Sequence, residues 1–202
     1  MTFNITWLVM LAGFSGLSMN LILQFGLGLK GIAFDESIDK DRLLAGSWVL
    51  FATVVFLWLI FSLVRSVLSL GFLEYVMLFP VSALFFSIFE CMANRFMLKK
   101  NEGQEKTILF GDSLTGGALA GAALFMTLNV AGSASEVIVL SLVFSCSTAL
   151  VMVVVSEIRR RAEMEAVPLR LRGGPLALIA MGLLSLIFAS GALMLFGALG
   201  AQ

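Results

Sequence analysis

Apolar residues run along this chain in long unbroken stretches rather than in alternation with polar ones. Six stretches stand out, at residues 5–29, 43–64, 68–93, 108–130, 137–156 and 175–199. A membrane-crossing helix needs roughly 20 apolar residues at about 1.5 Å rise each, and each stretch meets that length. The stretch 43–64 holds no charge, whereas 68–93 carries Glu74, Pro80 and Glu90. Tilted β-strands of a membrane barrel are shorter and alternate in polarity, so the pattern predicts helices. The expectation is an all-α integral membrane protein, one domain over residues 1–202. It has six transmembrane helices in two inverted three-helix repeats, 1–100 and 101–202.

Composition supports this reading. Of 202 residues, 60% are hydrophobic and 13% charged, with a mean hydropathy of +1.04. A soluble domain carries about a quarter charged residues. Thirteen basic residues balance thirteen acidic ones, which excludes a strongly basic nucleic-acid binder. Histidine is absent, and with it imidazole metal sites, histidine triads and the usual neutral-pH proton shuttle. Cys91 and Cys146 lie in apolar runs. They form no disulfide framework and read as small buried hydrophobes. No Lys or Arg precedes the first stretch, so it is expected to be a retained helix rather than a cleaved signal.

The positive charges predict the orientation. The loop after the first helix holds Lys30, Lys40 and Arg42. The loop after the third holds Arg95, Lys99, Lys100 and Lys106, and that after the fifth Arg159, Arg160, Arg161, Arg170 and Arg172. Of the thirteen basic residues, only Arg65 falls on the other side. Positively charged loops stay in the cytoplasm, so both termini are expected outside. The acidic and basic loop 31–42 reads as a solvated cytoplasmic loop. The short links at Arg65–Ser66 and across 129–136 predict tight turns, with the second and third helices antiparallel neighbours.

Two glycine clusters interrupt the apolar pattern. One follows Asn20 and Gln24 and contains Gly26, Gly28, Lys30 and Gly31; the other runs from Gly111 and Asp112 through Thr115, Gly116 and Gly117 to Gly121. Such clusters either let helices approach closely or mark a broken helix at a membrane site. The clusters fall in the first and fourth helices, which correspond if the chain is two halves. Both helices are therefore expected to be broken. The tetrapeptide Gly111-Asp-Ser-Leu matches a serine-hydrolase motif, but no histidine is available as a base, and that chemistry is rejected.

Polar residues inside the spans add candidates. Asn20 and Gln24 share a helix face, either bonding a neighbouring helix or lining an ion path. Glu90 is costly within a span and serves either function or interfacial anchoring. Glu74 lies near the outer end of the same helix, and Glu90 and Arg95 are five apart, beyond ideal helical pairing. Trp7 suits an interfacial belt.

The final third carries a resemblance. Glu157-Ile-Arg-Arg-Arg161, Ala166-Val-Pro168, Arg172-Gly-Gly and the run from Leu176 to Phe188 resemble the last loop and helix of one family. It comprises the A-type membrane component of the Rnf electron-transport complex and the homologous E-type component of the sodium-translocating NADH:quinone reductase. Glu90, Met92 and Arg95 resemble the close of that family's third helix, and Asn20 with Leu27-Gly28-Leu29 the end of its first.

The resemblance implies a membrane subunit, not catalytic by itself, of a complex coupling electron transfer to sodium or proton transport in the bacterial cytoplasmic membrane. Its implied partners are other membrane subunits, including an oppositely oriented homologue. It also implies an iron–sulfur cluster held by cysteines of the two broken helices. This chain has Lys30 at one such position and, approximately, Gly117 at the other, neither able to ligate iron. The expectation is therefore a diverged, cluster-free member that binds no cofactor or metal. The broken-helix and ion-path candidates are Asn20, Gln24, Gly26, Gly28, Glu90, Asp112, Thr115 and Gly116. The alternative is a transporter or structural membrane protein of the same inverted-repeat fold without a redox role.

Overall fold

The computed structural model describes residues 40–67, 72–97, 113–164 and 174–200, together with Ala12, Gly13, Gly16 and Asn20. Within them the chain is helical. The helices are α1 (Lys40–Val67), α2 (Phe72–Met97), α3 (Ser113–Val130), α4 (Ala134–Met164) and α5 (Gly174–Gly200). Four contain segments long and apolar enough to cross a membrane: Leu44–Ser66, Tyr75–Ala93, Ala134–Ile158 and Pro175–Met194. The apolar part of α3, Gly116–Val130, is shorter. The predicted stretches 43–64, 68–93, 137–156 and 175–199 correspond to α1, α2, α4 and α5. Most of the predicted first helix, Trp7 included, lies outside the described residues.

The surface of the bundle carries as much apolar character as its interior. Trp48, Leu59, Leu63, Leu84, Leu186 and Met194 are all exposed. A soluble protein does not present apolar surface on this scale. The arrangement is that of a multi-pass membrane protein, whose outer residues face lipid.

The core joins all five helices. Val49, Leu50 and Val54 of α1 meet Phe86 of α2, Leu119, Ala120 and Ala123 of α3, Leu140, Phe144 and Val151 of α4, and Ala177 and Met181 of α5. A second cluster gathers Leu57 and Phe61 around Leu78 and Leu124. Phe56 stacks against Phe85 and Phe89, with ring centroids 5.6 and 5.5 Å apart. These contacts make α1 and α2 antiparallel neighbours, as expected. Arg65 and Ser66, however, belong to the last turn of α1 rather than to a link, because backbone hydrogen bonding carries the helix past the end of the apolar run. In lipid the hydrophobic effect does not pull helices together, so dispersion contacts and hydrogen bonds hold this core.

The α3–α4 turn shows how a tight reversal is stabilised. Ala131 N–H donates to the Thr127 carbonyl at 3.0 Å, ending α3, and Val137 N–H donates to the Ser133 carbonyl at 3.2 Å, opening α4. Glu136 Oε2 accepts from Gly132 N–H at 2.8 Å. This resembles a capping box shifted by one residue, with an acidic group at the positive helix end.

The structure corrects where the charges sit. Lys40 and Arg42 belong to the first turn of α1, Arg95 to the last turn of α2, and Arg159, Arg160 and Arg161 to α4. Hydropathy ends a span where charge begins, but backbone hydrogen bonding continues the helix into the headgroup layer. Cys91 and Cys146 are also exposed rather than buried. Each follows an inward-facing residue, Glu90 or Ser145, and one helical step of about 100° turns it outward.

Candidate functional site

Hydrogen bonds between segments gather at two centres inside the bundle. The first centre joins the N-terminal segment to α4. Asn20 is 1% exposed. Its Nδ2 donates to the Ser147 carbonyl at 3.4 Å and also to Ser147 Oγ. Ser147 Oγ in turn donates to the Gly16 carbonyl at 2.6 Å. Gly16 and Asn20 thus both bind Ser147. A Cβ on Gly16 would lie 2.8 Å from Val143 Cγ1, so the glycine is what permits this approach. Next to Ser147, Ser145 Oγ donates to the Ser47 carbonyl, tying α4 to α1.

The second centre is the seam between α2 and α3, the most extensive helix pairing among the described residues. A Cβ built on Gly116 would come within 2.1 Å of the Phe86 ring. One on Gly117 would lie 2.5 Å from Ala83 Cα, and one on Gly121 2.7 Å from Ser82 Oγ. Ser82 Oγ is 2.8 Å from the Phe79 carbonyl of its own helix and 3.1 Å from the Gly117 carbonyl across the seam. Its single proton is shared between them. Glu90 lies one turn beyond Phe86 on this inward face and is 5% exposed. Since Phe86 packs on Gly116 and α2 and α3 run antiparallel, Glu90 stands level with the first described turn of α3.

These observations sort the sequence candidates. Asn20 bonds to a neighbouring helix, one of its two expected roles. Glu90 is buried and has a partner, whereas Arg95 is exposed. Thr115 lies on the first turn of α3. From Ser113 onward α3 is unbroken through Gly116, Gly117 and Gly121. The predicted interruption within that stretch is absent, because the glycines are held helical by the packing they permit. Gln24, Gly26, Gly28, Lys30 and Asp112 lie outside the described residues.

Sequence reasoning missed the α4 hydroxyls. Ser141, Ser145 and Thr148 are all buried at spacings of four and three, a helical stripe readable in the sequence. Ser141 and Thr148 bond back to their own helix, at 3.1 Å to Ile138 and 2.7 Å to Phe144 carbonyls. Such back-bonding satisfies a hydroxyl in a low-dielectric surround.

The cluster ligation implied by the family resemblance is not met at position 117. Gly117 is pressed against the α2 backbone, so a cysteine there would need α2 to move. Cys91 and Cys146 occupy outward faces of α2 and α4. Among the described residues, no group of three or more Cys, Asp or Glu side chains converges to hold a metal.

No family model, curated protein or solved structure matches this chain.

Proposed function

We propose that this chain is a membrane subunit of an ion-translocating electron-transport complex of the Rnf and NADH:quinone reductase kind, acting with partner subunits and not as an enzyme alone. The observation that carries the reading is the run from Glu157 to Phe188, which resembles that family along the exit of α4 and the first half of α5. The basic loops on one side of the membrane support termini outside, in a bacterial cytoplasmic membrane. The finer architecture belongs to the same proposal: six helices, two inverted repeats, and a partner of opposite orientation. In its support, α1 and α4 pack on each other at the centre, and each also packs on the helix that follows it.

Within this reading Glu90 is the ion-path candidate among the described residues, Asn20 being engaged by Ser147, and no electron step is assigned to this chain. Lys30 and the crowded Gly117 favour the cluster-free form. The same observation supports a second reading, a transporter of this fold that needs no redox partner. Mild-detergent purification from native membranes with mass spectrometry of the bound proteins separates the two. Flavin and iron–sulfur subunits accompanying the chain are the expected outcome. Recovery of the chain alone, with ion uptake in proteoliposomes lacking any electron donor, would favour the transporter.

A further inference from the structure

The C-terminal end of α4 carries a charged group that the proposed function does not use. The apolar part of α4 ends at Ile158, and the helix continues to Met164. Arg160 and Arg161 follow two and three residues later, about 3–5 Å further along the axis. Glu157 Oε1 is 3.1 Å from Arg160 Nη2 and 3.1 Å from Arg161 Nε. Both bonds run back along the helix, toward the membrane. They hold the two guanidinium groups within about one turn of the end of the apolar segment. Both arginine side chains stay 71% exposed. Two cations share one carboxylate, so the group keeps a net positive charge. Each guanidinium presents five N–H donors in a planar fork, a match for phosphate oxygens.

We propose that this turn of α4 binds the phosphate of an anionic phospholipid, with Arg160 and Arg161 as donors and Glu157 as the residue that positions them. Charge complementarity selects the lipid, because the phosphate layer of the bilayer lies at this depth and a basic cluster beside a span attracts anionic headgroups. The inference rests on the α4 span and its ion pairs, and stands apart from the redox reading.

The test uses the full chain, purified in mild detergent and stripped of lipid. It is titrated with phosphatidylglycerol or phosphatidylcholine, and bound lipid is counted by native mass spectrometry. The wild type is expected to prefer phosphatidylglycerol. R160Q/R161Q is expected to lose about fivefold in phosphatidylglycerol affinity per guanidinium removed, with phosphatidylcholine binding unchanged. R160K/R161K should keep most of the preference, and R65Q, at the end of α1, all of it. Inorganic phosphate should not displace the lipid. Wild-type preference surviving in R160Q/R161Q, or lost equally in R65Q, overturns the proposal. High salt gives a test independent of any variant: it must weaken phosphatidylglycerol binding more than phosphatidylcholine binding, and an equal response also overturns it.

Discussion

Glycine does opposite things on α3 and α5. Gly116, Gly117 and Gly121 lie against α2 so tightly that an added Cβ would come within 2.1, 2.5 and 2.7 Å of its atoms. Gly182, Gly191 and Gly197 on α5 have nothing within 4 Å of such a Cβ among the described residues. Both helices are apolar and glycine-rich, and their sequences look alike. On α3 the missing side chains are the contact surface, and two backbones approach where side chains would hold them apart. On α5 no such contact exists among the described residues. The helix is held more loosely, along one face carrying Ala177, Ala180 and Met181, while Leu178, Leu183, Leu186 and Leu193 point outward. A glycine is therefore informative about packing only once its neighbour is known.

The comparison can be broken by substitution. The largest effect is expected at Gly117→Ala, where the new methyl meets the backbone of Ala83 rather than a side chain that can turn away. It should cost about 3 kcal/mol, the upper end for overpacking. Ala83→Gly alone should not rescue it, because Ala83 Cα itself is the obstacle. Reversible unfolding in mixed detergent micelles measures both. Recovery of stability in the double variant would show that only side chains clash.

Gly116→Ala should cost less, about 1–2 kcal/mol, because its obstacle is the Phe86 ring. Here Phe86→Leu should restore part of the loss, and absence of any coupling in the double-variant cycle would contradict the seam as drawn.

A smaller loss is expected at the other polar centre. Ser147→Ala removes the hydroxyl that bonds Gly16 and receives Asn20, and should cost about 0.6–2 kcal/mol, the range for interhelical hydrogen bonds in membranes. Asn20→Leu should not add its full cost on top, because both variants break one network. Full additivity would show that the two residues act separately.

At the low end, Gly182→Ala should leave stability unchanged or raise it by up to about 1 kcal/mol, since it meets no neighbour and alanine favours the helix. A marked loss would mean that α5 packs against something more than α4 in the purified protein.

Much of the fold was legible in advance. The apolar runs located α1, α2, α4 and α5, with ends within one residue for α5 but three to eight residues off for the others. The expected antiparallel pairing of α1 and α2 was found, although Arg65 and Ser66 lie in the last turn of α1. The candidate site was legible only in part. Asn20 and Glu90 stand out because a polar side chain in a span is costly. Ser147, Ser145 and Ser82 did not, because serine is common in spans and gains meaning only from what it faces. The interruption expected within α3 failed for a related reason: the same glycines weaken an isolated helix and strengthen a close-packed one.

What the sequence determined by itself is the helical, lipid-compatible character of the segments that became α1, α2, α4 and α5, because transfer from water to an apolar phase depends on composition summed along the chain. Only the tertiary structure decided which face of each helix turns inward. In lipid both faces are apolar, so hydropathy carries no periodic signal for burial. That is why Glu90 proved buried and Cys91 beside it exposed, and why one set of glycines became a helix seam while the other stayed on the surface.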